Sequence, residues 1–327
     1  MFIFSEKDIR HVVDVNKTAL DLIEKGFQKL EQGEVTMPPI LRVDIPENNG
    51  EVDVKTAYVK GLDTFALKIS SGFFDNADKG LPSLSGMMLL FNTETGFTEA
   101  VLQDNGYLTD VRTAVAGGMA ADHLANKKIK TAGIIGTGTQ ARYQLRALSM
   151  VRDVEEVLVY GRKKERVDVY IKEMEETIGV KVTAAEDPEQ VVRNSDVVIT
   201  TTPAKEPIIQ KEWLHPGLHI TAMGSDAEEK NEIHPSVLGA VDVLACDSKD
   251  QVFRLGEYHH AKDAGVVKET SQIAELGALS LGRAEGRKTE DQITFCDLTG
   301  TGVQDTAIAV YAYDSLRDAG KGTLFEE

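Results

Sequence analysis

Cysteine is scarce: the 327 residues contain two, Cys246 and Cys296. That is too few for a disulfide framework, and they lack the CxxC spacing of a metal site, so both are expected to be reduced core thiols. Long apolar runs are missing too. No stretch approaches the roughly 18 uninterrupted apolar residues that a membrane span needs. The opening MFIFSEKDIRHVVD is broken by charge too early for a signal-peptide core, so a cytoplasmic protein is expected. Positive charge is in deficit, with 36 Lys and Arg against 53 Asp and Glu and a net charge of −17. Such a surface repels phosphate backbones and anionic lipid headgroups, which excludes nucleic acid and membrane as expected partners. A saline habitat would explain the excess as well as simple solvation does. What remains, 42% hydrophobic and 27% charged, is the composition of a globular protein. The length suits two domains, and no internal repeat, low-complexity tract or long linker interrupts it.

Ser5, with Asp8 three residues on, makes a capping box for a first short helix. Ala19, Ile23, Phe27 and Leu30 mark the buried stripe of a second, which Gly33 ends. Short apolar runs then follow at 40–45, 51–59, 65–70 and 87–91, separated by turns at Asn48-Asn49-Gly50, Lys60-Gly61 and Thr95-Gly96. They predict an antiparallel sheet. Thr109 is the expected cap of a bridging helix that runs through the alanine-rich stretch 114–121 to about Leu124. Beyond Lys130, strands at 132–135, 157–160, 180–183, 197–201, 219–223, 241–245 and 293–296 alternate with helices. This predicts a parallel sheet covered on both faces. A last helix, about 303–316, is expected to rejoin the N-terminal part. The fold class is therefore α/β: a Rossmann-type parallel-sheet domain over 116–302, and an α+β substrate and dimerisation domain built from 1–115 and 303–327.

The segment Gly136-Thr137-Gly138-Thr139-Gln140-Ala141 follows the strand 132–135 and opens a helix. Gly136 and Gly138 permit a tight turn and let backbone N–H groups approach a pyrophosphate at the positive end of the helix, and Ala141 stands at the third glycine position. Alone, the pattern would pass for a chance glycine turn. The strand before it, the helix after it and a second strand some twenty residues on make it a dinucleotide site. At the end of that second strand an acid would bond the NAD ribose, but Tyr160-Gly161-Arg162-Lys163-Lys164 stands there instead. Basic side chains at a helix start oppose its dipole unless an anion binds, and the 2′-phosphate of NADP is such an anion. A solvated basic turn is the plain alternative. The residues Gly161, Arg162 and Lys163 favour NADP(H), with NAD(H) the other candidate.

The strand 219–223 delivers Gly224-Ser225-Asp226 to the carboxyl edge of the sheet, where ligands of such folds sit, so Asp226 is a proton-transfer candidate. In the first domain Lys68 lies inside Phe65-Ala66-Leu67-Lys68-Ile69, Arg42 inside Ile40-Leu41-Arg42-Val43, and Arg112 opens the bridging helix. Buried cations need an anion. Each alone is as readily a structural ion pair, whereas three facing one cleft suit a substrate carboxylate. His259-His260 has no third ligand at a useful spacing, and Tyr258 to Lys262 reads as an exposed helix end, so no metal is expected. Ser149, Ser195 and Cys296 lack the contexts of nucleophiles, and Trp213 reads as a packing residue.

Arg112-Thr113-Ala114, the glycine turn, Gly224-Ser225-Asp226 and Gly300-Thr301-Gly302-Val303-Gln304-Asp305, in that order, resemble the ornithine cyclodeaminase and mu-crystallin family over essentially the whole length. The resemblance implies a homodimer, with the N-terminal domain and last helix as the dimerisation and substrate part. It implies that Arg42, Lys68 and Arg112 hold a substrate carboxylate and that Asp226, with Lys68, forms the catalytic pair. It places Ser83, Thr113, Thr139, Gln140, Thr201, Ser225, Lys230 and Leu298 near the cofactor and Thr299 near the substrate. The run Asp104-Asn105-Gly106-Tyr107-Leu108-Thr109-Asp110 resembles the branch associated with ectoine utilisation. Two departures matter, and the first is the missing acid at the end of the second strand. Where ornithine cyclodeaminases carry a glutamate thirteen residues before that lysine, Lys55 stands here, with Ala57 at a nearby methionine position. A lysine there repels the distal ammonium of ornithine and attracts a second carboxylate or another oxygen-rich group.

The expected activity is NAD(P)-dependent imine reduction or amino-acid dehydrogenation on a small amino, imino or keto acid. Hydride moves between C4 of the nicotinamide and the α-carbon while Asp226 moves the proton. A redox-neutral cyclodeaminase, an ammonia-lyase, is the first alternative. Because it returns the hydride it borrows, it gains nothing from choosing NADP, so an NADP site points to net reduction. An NADPH-dependent ligand carrier of mu-crystallin type is the second, and the retained charged residues argue against it.

Overall fold

Apolar residues alternate with polar ones along the strands of the first part of the chain and run almost unbroken through those of the second, and the two sheets differ accordingly. The computed structural model describes residues 1–325, apart from the side chain of Ala77. It divides into unit 1, Met1–Arg112 with Thr301–Glu327, and unit 2, Thr113–Gly300. The divisions fall two or three residues before the sequence-based bounds at 115 and 302.

The first part runs β1 (Phe2–Ser5), α1 (Glu6–Val12), α2 (Lys17–Glu31), β2 (Val35–Thr36), β3 (Leu41–Ile45), β4 (Gly50–Val59), β5 (Thr64–Phe73), β6 (Leu84–Asn92), β7 (Thr98–Gln103) and α3 (Tyr107–Leu124). Next come β8 (Thr131–Ile135), α4 (Thr139–Val151), β9 (Glu156–Tyr160), α5 (Lys164–Ile178), β10 (Lys181–Ala184), α6 (Pro188–Arg193) and β11 (Val197–Thr200). They are followed by β12 (His219–Ala222), α7 (Pro235–Leu238), β13 (Val243–Cys246), α8 (Lys249–Val252), α9 (Glu257–Asp263), β14 (Ala274–Glu275), α10 (Leu276–Ser280) and β15 (Thr294–Asp297). The chain closes with α11 (Gly302–Asp318) and β16 (Thr323–Leu324).

In unit 1 the strand order is β16-β1-β7-β6-β5-β4-β2, with β3 also on β4. The pairings from β3 to β7 are antiparallel, and β1, which the sequence reading missed, joins β7 in parallel. Register decides the faces. Ala57, Ala66, Met88, Leu90, Ala100, Leu102 and Phe4 are buried on the inner face. There α11 packs so closely that a Cβ on Gly302 would lie 2.2 Å from the Thr56 carbonyl oxygen. Thr306 Oγ1 donates to the Ala57 carbonyl at 2.8 Å and accepts from the Ala66 N–H at 3.2 Å, so α11 is part of unit 1. On the outer face Leu41, Val43 and Met87 are exposed, and Val52, Val54, Leu67, Ile69 and Leu89 are half-buried.

The expected capping box of α1 is present, Ser5 and Asp8 exchanging bonds. The start of α3 is a correction. It begins at Tyr107 with Asp104 Oδ2 accepting from the Leu108 N–H at 2.8 Å, and Thr109 lies inside the helix. Asn105 and Gly106, at φ 51° and 89°, make the left-handed turn that precedes it.

Unit 2 is an eight-stranded sheet in the order β10-β9-β8-β11-β12-β15-β13-β14, with every pairing parallel. Ala141, Leu145, Leu148, Tyr170 and Val197 belong to one apolar cluster. Val192, Ile220, Val237, Tyr258 and Phe295 belong to another. Tyr258 is fully buried, so 258–262 is not the exposed helix end that its polar neighbours suggested. The order reverses between β8 and β11, the switch point at which such sheets bind ligands.

Candidate active site

In unit 1 the sheet register puts Lys55 directly opposite Lys68 on the inner face. Both are buried, although like charges directly opposite destabilise a sheet. Helix α11 supplies the compensation. Asp305 Oδ1 accepts from Arg112 Nε at 2.8 Å, and Lys68 Nζ makes an ion pair with Oδ2 at 3.2 Å. Burial pushes Asp305 up, but the charges of Arg112, Lys68 and Lys55 outweigh it, so its carboxyl stays below the usual range and ionised. Lys68 is the strained partner. Burial first, then the nearby charges of Arg112 and Lys55, bring its ammonium down to about 7 against the opposing pull of Asp305. One carboxylate cannot hold two cations equally, and Arg112 has the shorter, hydrogen-bonded contact.

Arg42 is two register positions away, opposite Asp53 on the same face. It is not the buried cation that its apolar neighbours suggested. Its side chain is 29% exposed and pairs with Asp44 at 2.8 Å and with Glu51, on a strand that pairs with β4 alone at the sheet edge. Lys68 and Arg112 thus converge on one carboxylate, while Arg42 is held by two others. Ser83 stands half-buried before β6, its carbonyl accepting from the Phe73 N–H. A cavity of about 550 Å³ lined by Ile69, Ser71, Ser85 and Met87 opens on the outer face, away from Lys68.

In unit 2 the glycine turn joins β8 to α4. Gly136 has φ +120°, and a Cβ there would lie 2.5 Å from Thr201 Oγ1, so only glycine fits. Gly138 faces open space, and as the N-cap of α4 it offers no side chain to the first N–H groups of the helix. An open cradle at an uncapped helix N-terminus is what a pyrophosphate needs, so these residues fit a dinucleotide. Thr139 and Gln140 open α4, and Gln144 Nε2 reaches from the same helix to the Thr113 carbonyl at 2.9 Å. Gly161 packs against Thr137, where a Cβ would come within 2.8 Å of the methyl group. Arg162 and Lys163 are exposed beside it, and Lys163 is an N-cap without a side-chain cap bond.

Beyond β12, Asp226 is half exposed and pairs with Lys230 at 2.5 Å, while the Ser225 hydroxyl donates to the Lys230 carbonyl. His260 Nε2 contacts that same carbonyl at 2.8 Å and His259 pairs with Asp263, so the two histidines serve separate partners. Thr299 is buried, with its N–H and hydroxyl donating to Asp247, and Leu298 is buried beside it.

The sequence reading missed four buried carboxylates at this edge. Asp247 accepts from the N–H groups of Ser248, Thr299 and Gly300, and Asp297 from those of Glu257 and Tyr258. Glu257 accepts from Asn231 Nδ2 and the Glu232 and Ile233 N–H groups. Glu232 accepts from Thr200 Oγ1 and the Thr202 and Gly224 N–H groups. Burial pushes all four up, Glu232 to about 7. Their partners are mainly backbone N–H groups, which any residue type carries, so no sequence pattern marks them.

A family model described as the ornithine cyclodeaminase/mu-crystallin family matches residues 2–320. An uncharacterized cyclodeaminase of Sinorhizobium fredii is 47% identical over 327 residues, covering 100% of this chain and 99% of that protein. A solved Thermococcus litoralis Δ1-pyrroline-2-carboxylate reductase in complex with NADH and L-proline superposes with a TM-score of 0.93 at 29% identity, covering 99% of this chain and 100% of that one. An archaeal alanine dehydrogenase dimer with bound NAD gives a TM-score of 0.93 at 30% identity, covering 100% and 99%.

Proposed function

The chain belongs to the ornithine cyclodeaminase/mu-crystallin family, and we propose from that premise that it is an NAD(P)-dependent oxidoreductase acting on a small amino or imino acid. The observation that carries this reading is the pair of buried cations, Lys68 and Arg112, on Asp305. One fully buried carboxylate among cations leaves a positive field suited to the α-carboxylate of a substrate. Arg42 lies on the same sheet face as a further donor for the carboxylate, and Asp44 and Glu51 fix where its guanidinium lies. A dinucleotide held by its pyrophosphate at the Gly136–Gly138 turn would supply or accept the hydride at the α-carbon. Asp226 exchanges the proton at the substrate nitrogen, and Lys230, its ion-pair partner, fixes where its carboxyl group lies. Lys55 favours a second acidic or hydroxylated group on the substrate over a distal ammonium. Thr299, held by Asp247, is the residue of unit 2 proposed to lie near the substrate.

Net reduction is favoured over redox-neutral cyclodeamination by the exposed basic turn at Arg162 and Lys163, which suits the NADP 2′-phosphate. A panel of imino acids, and of keto acids with ammonia, run with NADH and NADPH and followed at the reduced-nicotinamide absorbance, tests both points. Stoichiometric cofactor consumption is expected, faster with NADPH. Release of ammonia from a diamino acid with no net cofactor change would replace the reading with cyclodeamination. NADPH binding without turnover across the panel would replace it with a carrier.

The apolar outer face of the unit 1 sheet, Leu41, Val43, Val52, Val54, Leu67, Ile69, Met87 and Leu89, supports a homodimer built on that face. A dimer mass in solution is expected, reduced to a monomer by Leu89→Asp with Val54→Asp. A wild-type monomer at micromolar concentration removes this part of the proposal.

A further inference from the structure

Glu232 is not among the candidate site residues, yet its side chain joins two turns that carry them. It follows the Asp226–Lys230 segment and is fully buried. Oε2 accepts the Thr200 hydroxyl at 2.8 Å, at the end of β11, and the Gly224 N–H at 2.8 Å, just past β12. Oε1 accepts the Thr202 N–H at 2.6 Å. The turn that carries Thr201, beside Gly136, and the turn that carries Asp226 are therefore tied to one carboxylate. There is no slack between them. A Cβ on Gly224 would lie 2.1 Å from the Thr202 carbonyl oxygen and 2.4 Å from Glu232 Oε2.

The backbone of Glu232 is fixed independently of its side chain. Its N–H donates to Glu257 Oε1 at 2.8 Å, and its carbonyl accepts from the Ile208 and Ile209 N–H groups at 2.7 and 3.0 Å. The donor set also defines the group required. Three donors converge on two oxygens, which a carboxylate satisfies in full. An amide of the same shape must turn its NH2 toward either one N–H or two donors.

We propose that Glu232 is a positioning residue that sets the spacing between the nucleotide turn at Thr200–Thr202 and the proton-transfer turn at Gly224–Asp226. The inference rests on the proposed function for the roles of Thr201 and Asp226, but the clamp itself is a property of unit 2 alone. A packing role would lower stability and leave the folded enzyme's kinetics unchanged. A spacing role changes both nucleotide affinity and turnover in the folded enzyme, since a displacement of about 1 Å at reacting groups costs on the order of 100-fold in rate.

The test compares full-length wild type with Glu232→Gln and Thr200→Val, all checked for folding by thermal melt and gel filtration, measuring NADH affinity by nicotinamide fluorescence and kcat at saturating cofactor and imino acid. Glu232→Gln is expected to weaken NADH binding about fivefold, the loss of roughly one hydrogen bond, and to lower kcat about 100-fold. Thr200→Val keeps the carboxylate and the shape while removing one donor, and is expected to shift both in the same direction by smaller factors. If Glu232→Gln melts below the assay temperature, Thr200→Val decides the matter. Folded variants whose NADH affinity and kcat both lie within twofold of wild type overturn the proposal. A wild type that binds NADH and turns over nothing refutes the functional reading instead, and the NADH affinity of the variants then decides the clamp by the same twofold criterion.

Discussion

In unit 1 Lys68 and Arg112 are buried against one carboxylate, Asp305, whereas in unit 2 Asp247, Glu257, Asp297 and Glu232 are buried with N–H and O–H donors as their partners. The difference follows from what each group must do. A carboxylate satisfied by backbone N–H groups has its lone pairs directed at the chain itself, so it fixes turns and presents little field outward. Two cations sharing a carboxylate keep a positive field, and that field can recognise an acid. Under the proposed function, recognition of charge falls to unit 1, and unit 2 fixes the turns at Thr200–Thr202 and Gly224–Asp226.

The sharpest way to break this comparison is Lys68→Met. Turnover is expected to fall about 10²–10⁴-fold, the usual worth of a proton-transferring or substrate-holding group, while NADH affinity, a property of the unit 2 turn, stays within twofold. An equal loss in both would show that the two roles are not separable. Asp305→Ala comes next. It leaves two buried cations without their carboxylate and should cost about 3–5 kcal/mol in chemical denaturation, the penalty for an uncompensated buried charge. A smaller loss would mean that Lys68 simply discharges.

The pH dependence of stability separates the units by sign. Glu232 has its folded value raised from 4.5 to about 7, so its contribution is present below 4.5 and lost as the pH rises to 7. Lys68 has its folded value lowered from 10.5 to about 7, so its contribution is present above 10.5 and lost as the pH falls to 7. Thermal melts across pH should therefore flatten between 4.5 and 7 in Glu232→Gln and between 7 and 10.5 in Lys68→Met. Arg42→Ala gives the smallest of these effects, about a tenfold rise in substrate KM with kcat nearly unchanged. Its charge is shared with Asp44 and Glu51, so it contributes binding in ground and transition states alike.

Much of unit 2 was legible because its signals are local. Gly136 needs a positive φ next to Thr201, and a strand must precede and a helix follow a turn that cradles phosphate. Unit 1 was legible as an antiparallel sheet but not in its details. β1 is four residues long and runs straight into a helix, so no alternation had room to develop. Asp104, and not Thr109, caps α3, since a left-handed turn at Asn105 and Gly106 lies between the cap and the first helical residue.

Arg42 and Lys68 look alike in sequence, each a single cation inside an apolar run. On both strands the apolar neighbours face outward, but β3 pairs with β4 alone at the sheet edge, whereas β5 is interior to the sheet and α11 brings Asp305 to Lys68. The order of glycine turns, apolar periods and single charges along the chain was enough to determine the class of each sheet, the strand–glycine turn–helix unit and the family, because each depends on residues close together in sequence. Which cations meet one carboxylate, and which acids hold the turns, was decided only by the tertiary structure. Lys68, Arg112 and Asp305 come from three distant segments, and the carboxylates of unit 2 are bonded chiefly to backbone N–H groups, which are the same in nearly every residue.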